Sequence, residues 1–142
     1  MPNQMMVRCV SATHEFWYKL TGGLIGGRFG KLPFLLLTTI GRKTGRERTR
    51  PLLYFQDGED LVVIASNNGA DRDPAWWVNL KHNPQARVQI RRETVAVRAE
   101  KAGPEEKARL WPLVTKVYPQ YDDYQKRTSR EIPVVVLHPE RA

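Results

Sequence analysis

Sulfur chemistry is nearly absent from this chain, because Cys9 is the single cysteine. An internal disulfide is excluded, which fits a reducing cytoplasm. The three histidines, His14, His82 and His138, are too widely spread for metal-ligand spacing, and with no paired thiols a metal site is not expected. Long apolar runs are missing too. No stretch approaches the roughly 18 residues that a membrane-spanning helix needs. The first twenty residues lack the basic start, apolar middle and small-residue cleavage site of a signal peptide. Acids are in deficit, 15 against 23 Lys and Arg, which leaves a formal net charge of +8. That excess asks for an anionic partner: a nucleic acid, an acidic membrane surface or an acidic small molecule. Catalytic motifs are equally scarce. The chain has no dinucleotide fingerprint, no Walker-type phosphate loop, no nucleophile elbow and no paired acids.

What is present is an ordinary soluble composition, 41% apolar and 27% charged over 142 residues, enough for one domain with a real core. The organising stretch runs from Phe34 to Pro51. An apolar run, Phe34 to Leu37, breaks into Gly41-Arg42-Lys43-Thr44-Gly45-Arg46, and the chain returns through Glu47 to Arg50 into Pro51-Leu52-Leu53-Tyr54-Phe55. Strand, glycine-bracketed turn and returning strand suit that order. Five of the nine residues from Arg42 to Arg50 are cationic, and such a cluster repels itself unless an anion sits among it. Charge runs are ordinarily solvated faces. Here glycine, hydroxyl and cation come packed together, which favours a phosphate or carboxylate site.

Ahead of that stretch, His14 to Leu20 has helix-compatible composition with Phe16 and Trp17 on an aromatic side. Thr21 to Lys31 holds five glycines and reads as a connector. Beyond it, a turn at Gln56 to Glu59 leads to a strand from Asp60 to Ser66. With the hairpin, this predicts a three-strand antiparallel meander. Asp73-Pro74 predicts a capped helix over Ala75 to His82. Trp76 and Trp77 lie about 100° apart on it, so one indole belongs to the core and the other is free to line a cleft. Ala86 to Arg92 alternates, with Val88 and Ile90 inward and Arg87 and Gln89 outward. A turn at Glu93-Thr94 leads to a strand over Val95 to Glu100. A second helix starts near Pro104 and should kink or restart at Pro112. Tyr118, Tyr121 and Tyr124 recur at three-residue spacing, which on a helical turn lines one wall with phenols. Ile132 to His138 is a closing strand. The expected class is α+β, mainly β: a small barrel or curved sheet of about six mostly antiparallel strands with short inserted helices.

With no catalytic motif of its own, an enzyme of this kind would take its hard chemistry from a bound organic cofactor. The residues alone leave that cofactor unnamed. A barrel using FMN, or one acting on a different substrate, remains an alternative, as does a basic module gripping nucleic acid through Arg42–Arg50 and Arg87–Arg92.

LLLTTIGRKTGRERTRPLLYF, ASNNGADRDPAWWVNLKHNP and VYPQYDDYQ, in that order and spacing, closely resemble the deazaflavin (F420)-dependent nitroreductase and quinone reductase family of mycobacteria and related actinobacteria. The resemblance covers about Gly26 to Leu137. It implies a split β-barrel of the FMN-binding-like type over residues 26–142, preceded by an N-terminal helical segment over residues 1–25 with freedom to move. It implies coenzyme F420, an 8-hydroxy-5-deazaflavin with an oligoglutamate tail. The phosphate and tail carboxylates would lie on Arg42, Lys43, Thr44, Gly45 and Arg48. Ile64, Ala65, Ser66 and Asn67 would border the ring on one side, and Ala75, Trp76 and Trp77 on another. Tyr118, Tyr121 and Tyr124, with Ser66 nearby, would form the substrate side. The implied reaction is hydride transfer from the reduced coenzyme to a quinone of the menaquinone kind, with a proton delivered to the quinone oxygen. Nitroaromatic reduction is an implied side activity. The implied location is the cytoplasm, with peripheral contact at the inner membrane face through the N-terminus. Nucleic acid is then disfavoured as a partner, and the oligomeric state stays open. Three departures from the family pattern, Asn67 for a lysine, Ala75 for a methionine and Trp77 for a tyrosine, should reshape the ring pocket and its substrate preference.

Overall fold

Apolar run, basic turn and returning run fold as a hairpin. In the computed structural model, which describes residues 32–140, strand β1 (Phe34–Ile40) pairs antiparallel with β2 (Glu47–Leu53) along its whole length. The expected N-terminal helical segment, Cys9 and the aromatics from His14 to Leu20 lie outside the described residues, and with them the expected membrane contact. The turn is closed by Gly41 N–H donating to the Arg46 carbonyl at 2.7 Å and Gly45 N–H donating to the Gly41 carbonyl at 2.8 Å. Gly45 has φ of +73°, a conformation that favours a residue without a Cβ.

Further strands are β3 (Phe55–Asp57), β4 (Asp60–Ile64), β5 (Gln85–Ile90), β6 (Glu93–Lys101) and β7 (Val134–Pro139). All seven form one antiparallel sheet in the order β2-β1-β5-β6-β7-β4-β3. Strands β2 and β3 are separated in the chain by Tyr54 alone, yet they occupy opposite edges of the sheet. A sheet satisfies both conditions only by curling until its edges approach, so the expected split barrel is the architecture. The expected meander is not present: β2 pairs with β1, β4 pairs with β3 and β7, and the chain crosses the seam at Tyr54, whose N–H donates to the Pro33 carbonyl. Alternation reveals that a strand exists but not which neighbour it takes. The same crossing splits one expected strand in two and raises the count from six to seven.

Two further expectations need correction. The β5–β6 turn falls at Arg91-Arg92, not Glu93-Thr94, with Arg91 in the left-handed region at φ +57°. Gln89 is 1% exposed instead of facing outward, because it stands opposite Leu36, itself buried, on a covered face of the sheet.

Helix α1 (Ala75–His82) packs on the barrel's inner core, where Trp76, Trp77 and Leu80 meet Leu35, Leu37, Leu61, Val63, Val88, Val135 and Leu137. Helices α2 (Pro104–Val117) and α3 (Gln120–Arg127) cover the other face of β4 and β7, where Val62, Ile64, Val134 and Val136 meet Leu110, Val114 and Tyr121. Strands β4 and β7 are therefore buried on both sides, which matches their near-continuous Val, Ile and Leu content. Helix α2 runs unbroken through Pro112, whose ring lies on the exposed side.

Candidate functional site

The seam where the sheet closes on itself is also where it opens a cavity. A cleft of about 720 Å³ is lined on one side by Arg42, Arg50, Pro51, Leu52 and Leu53 of the hairpin. Across it stand Ile64 at the end of β4, Ser66, Asn67, Asn68 and Arg72 after it, then Ala75, Trp76 and Val78 of α1, with Tyr121 of α3. That size suits a cofactor or drug-sized ligand.

The hairpin wall is a set of charges without counter-charges. Lys43, Arg46, Arg48 and Arg50 are exposed and make no ion pair with the described residues. In the β1–β2 register Arg48 stands opposite Thr39, Arg50 opposite Leu37 and Leu52 opposite Leu35, so all three lie on the inner face of the barrel. Thr49 is on the outer face, where its hydroxyl bonds that of Thr38 at 2.8 Å. Thr44 folds back over the turn, its Oγ1 accepting from Arg46 N–H at 3.1 Å.

The facing wall is shaped by backbone. Asn67, Asn68 and Gly69 take φ of +48°, +56° and +81° in succession, a rare run for L-residues. Residues beyond α3 hold it in place. The Arg130 guanidinium donates to the carbonyls of Ala65, Ser66 and Ala70 and to Asp73 Oδ1, at 2.9 to 3.2 Å. Thr128 Oγ1 donates to Asp71 at 2.7 Å. Asp73, expected to cap α1, makes no cap bond: Pro74 occupies the cap position, and the Asp73 carboxylate goes to Arg130 and Lys81.

The tyrosines make an edge-to-face cluster rather than a flat wall. Tyr118 caps the C-terminal end of α2, whereas Tyr121 and Tyr124 belong to α3. Tyr121 is buried, with ring centroids of Tyr118 at 4.9 Å, Tyr124 at 6.2 Å, Phe55 at 6.3 Å and Trp111 at 6.3 Å. A hydrogen bond with Tyr124, then burial, pushes the Tyr118 phenol up to about 12. Burial, reinforced by both neighbours, pushes the Tyr121 phenol up further. All through the neutral range these two hydroxyls keep their protons, so they are donors and not bases.

Of the residues singled out by sequence, Arg42, Ile64, Ser66, Asn67, Ala75, Trp76 and Tyr121 come together around the cleft. Lys43, Thr44, Gly45 and Arg48 sit on the exposed hairpin beyond its lining, and Tyr118 and Tyr124 flank Tyr121 behind it. Ala65 and Trp77 are turned into the core, and Lys81 Nζ lies 5.9 Å from the Trp77 ring. Sequence reasoning did not single out Arg72, Asn79 or Arg130, and it named Arg50 only as part of the basic run Arg42–Arg50. Arg50 was recoverable, since it shares the parity of Arg48 on one strand. Nothing local marks the others. No group of metal-ligating side chains occurs among the described residues.

The set fits a ligand with a flat apolar body and an acidic end: Leu52, Leu53, Ile64, Pro74, Trp76 and Val78 offer the first, and the uncompensated cations the second. A family model described as F420H(2)-dependent quinone reductase matches residues 10–139. The F420H(2)-dependent quinone reductase Rv1261c of Mycobacterium tuberculosis is 42% identical over 128 residues, which cover 87% of this chain and 86% of the relative. A second protein of that organism, named a putative F420H(2)-dependent quinone reductase, Rv3178, is 40% identical over 116 residues, covering 81% and 98%. Among solved structures, an F420-H2 dependent reductase (FDR-A) superposes with a TM-score of 0.69 at 34% identity, covering 75% of this chain and 94% of its own. The heme storage protein HutZ of Vibrio cholerae, at 16% identity and a TM-score of 0.60, covers 79% of this chain and 84% of its own and shares the fold.

Proposed function

This chain belongs to the F420H(2)-dependent quinone reductase family, and we propose that it passes reducing equivalents from F420H2 to a quinone of the menaquinone type. It is a deazaflavin-dependent oxidoreductase on that basis. When bound, the reduced coenzyme supplies the hydride, and the chain's own residues do the rest. Arg42, Lys43, Thr44, Gly45, Arg48 and Arg50 take the phosphate and carboxylates of the acidic end through charge-assisted hydrogen bonds. Ile64, Ser66 and Asn67 on one side and Ala75 and Trp76 on the other hold the flat ring, while Ala65 and Trp77 support those positions from the core. The acceptor lies against Tyr121 and Ser66, while Tyr118 and Tyr124, outside the cleft lining, hold the Tyr121 ring. Tyr121 holds at Oη the proton that the acceptor oxygen needs. Packing by Phe55 and Trp111 keeps bulk water from it. Compact nitroaromatics would enter the same face as side substrates.

One observation carries the reading: a single cleft is lined both by guanidinium groups that make no ion pair with the described residues and by a buried, protonated phenol. Titration of tryptophan fluorescence with oxidised F420, followed by menaquinone reduction with F420H2, tests it. Micromolar or tighter binding and steady turnover are expected. Absence of any F420-dependent quenching at low salt would reject the coenzyme, and binding without turnover would reject the acceptor.

A further inference from the structure

Asn79 sits at the middle of α1, is 3% exposed, and spends its whole carboxamide on the basic hairpin. Its Oδ1 accepts from Arg42 N–H at 3.2 Å and from Arg42 Nη1 at 3.0 Å, and its Nδ2 donates to Thr39 Oγ1 at 3.1 Å. The orientation of the amide is forced. Both Arg42 groups can only donate, so the oxygen must face them and the nitrogen must face the threonine hydroxyl. Asn79 thus ties α1 to the end of β1 and to the turn that follows. Arg42 lines the cleft, and so does Trp76, three residues before Asn79 and on the same side of the helix.

We propose that Asn79 is the positioning residue that aims Arg42 into the cleft while leaving its charge uncancelled. The inference rests on the reading that the cleft takes the acidic end of F420. A carboxylate of the same shape would hold Arg42 equally well, with the Thr39 hydroxyl turning to donate, but it would neutralise the guanidinium that the ligand must meet. An amide supplies the aim without the counter-charge. Arg130 shows the contrast within the same molecule: its anchor is Asp73, a carboxylate, and its task is to hold a loop.

The experiment uses the full chain and oxidised F420, with binding read by tryptophan fluorescence and folding by thermal melting. Asn79→Asp should melt at or above the wild-type temperature yet bind roughly tenfold more weakly, with a shallower dependence on salt. Asn79→Leu should also weaken binding. Combined with Arg42→Ala it should add nothing beyond Arg42→Ala alone, since it acts through that residue. Unchanged affinity in Asn79→Asp, or losses that multiply in the double variant, would overturn the proposal while leaving the coenzyme assignment intact. A wild-type chain that does not bind F420 would overturn both.

Discussion

The hairpin from Gly41 to Arg50 and the C-terminal stretch from Arg127 to His138 are both rich in positive groups, and they employ them in opposite ways. In the C-terminal stretch every strong donor is committed inside the molecule: Arg127 to the Asn68 carbonyl, Arg130 to three carbonyls and Asp73, His138 to Asp60 and Glu100. In the hairpin, Lys43, Arg46, Arg48 and Arg50 make no ion pair with the described residues, and Arg42 is held by a neutral amide. Committed charge builds the wall of the cleft. Uncommitted charge is what the wall offers to a ligand. The distinction predicts that the first group governs stability and the second governs binding.

Arg130→Gln is the strongest test of the first half. It strips the left-handed loop of a clasp with 15% side-chain exposure and leaves Asp73 with only Lys81. A loss of about 3 kcal/mol in urea unfolding is expected, and a loss under about 1 kcal/mol would break the comparison. Gly69→Ala should come next. At φ +81° a Cβ there would stand 3.0 Å from the Tyr124 carbonyl oxygen and 3.1 Å from its Cα, backbone atoms that cannot swing aside. About 2 kcal/mol is expected from strain and contact together, with the loop amides exchanging faster as the local readout.

Arg48→Ala tests the second half and should behave conversely. Stability should stay within about 0.5 kcal/mol of wild type. F420 affinity should fall about tenfold, about 1.4 kcal/mol, with half-molar salt erasing most of the difference. Lys43→Ala should do the same to a lesser degree, because Lys43 presents a point charge rather than a planar fork. Equal losses in folding and binding would show that the hairpin charges are structural after all.

The same contrast governs what could be read from sequence. The hairpin was legible because strand, turn and returning strand occupy one continuous stretch, and its charges need no partner to be noticed. The opposite wall was not. Its residues Asn67 to Asp73 carry the marks of an ordinary polar loop, and the arginine that shapes it lies 57 to 65 residues away from the groups it binds. Asn79 was hidden for a related reason: an asparagine in a short helix carries no mark of the Thr39 and Arg42 contacts that employ it. Strand identities were readable from alternation, but the seam at Tyr54 was not, because one residue between two extended segments does not say that they lie on opposite edges. Order and spacing of three motifs then supplied what residue chemistry left open, the family and its coenzyme.

His138 offers the smallest and most specific effect, because its commitment can be switched by pH. It lies on β7, with Nδ1 3.0 Å from Asp60 on β4 and Nε2 2.9 Å from Glu100 on β6, so a protonated ring donates to both neighbouring strands. Burial works against the charged ring, but the two carboxylates outweigh it and raise the pKa above the ordinary 6.5. A raised folded-state pKa means that the stabilisation is fully present below the unfolded value and is lost as pH rises through the folded one. Between about pH 6 and about pH 9 the wild type should therefore lose more melting temperature than His138→Gln, which has no proton to release there. The ring is 38% exposed, so solvent screening keeps the difference small, and half-molar salt should shrink it further. F420 affinity over the same range should change equally in both proteins, since His138 is not part of the cleft lining. A variant that altered the pH dependence of binding rather than of melting would place this charge with the hairpin and erase the division between the two regions.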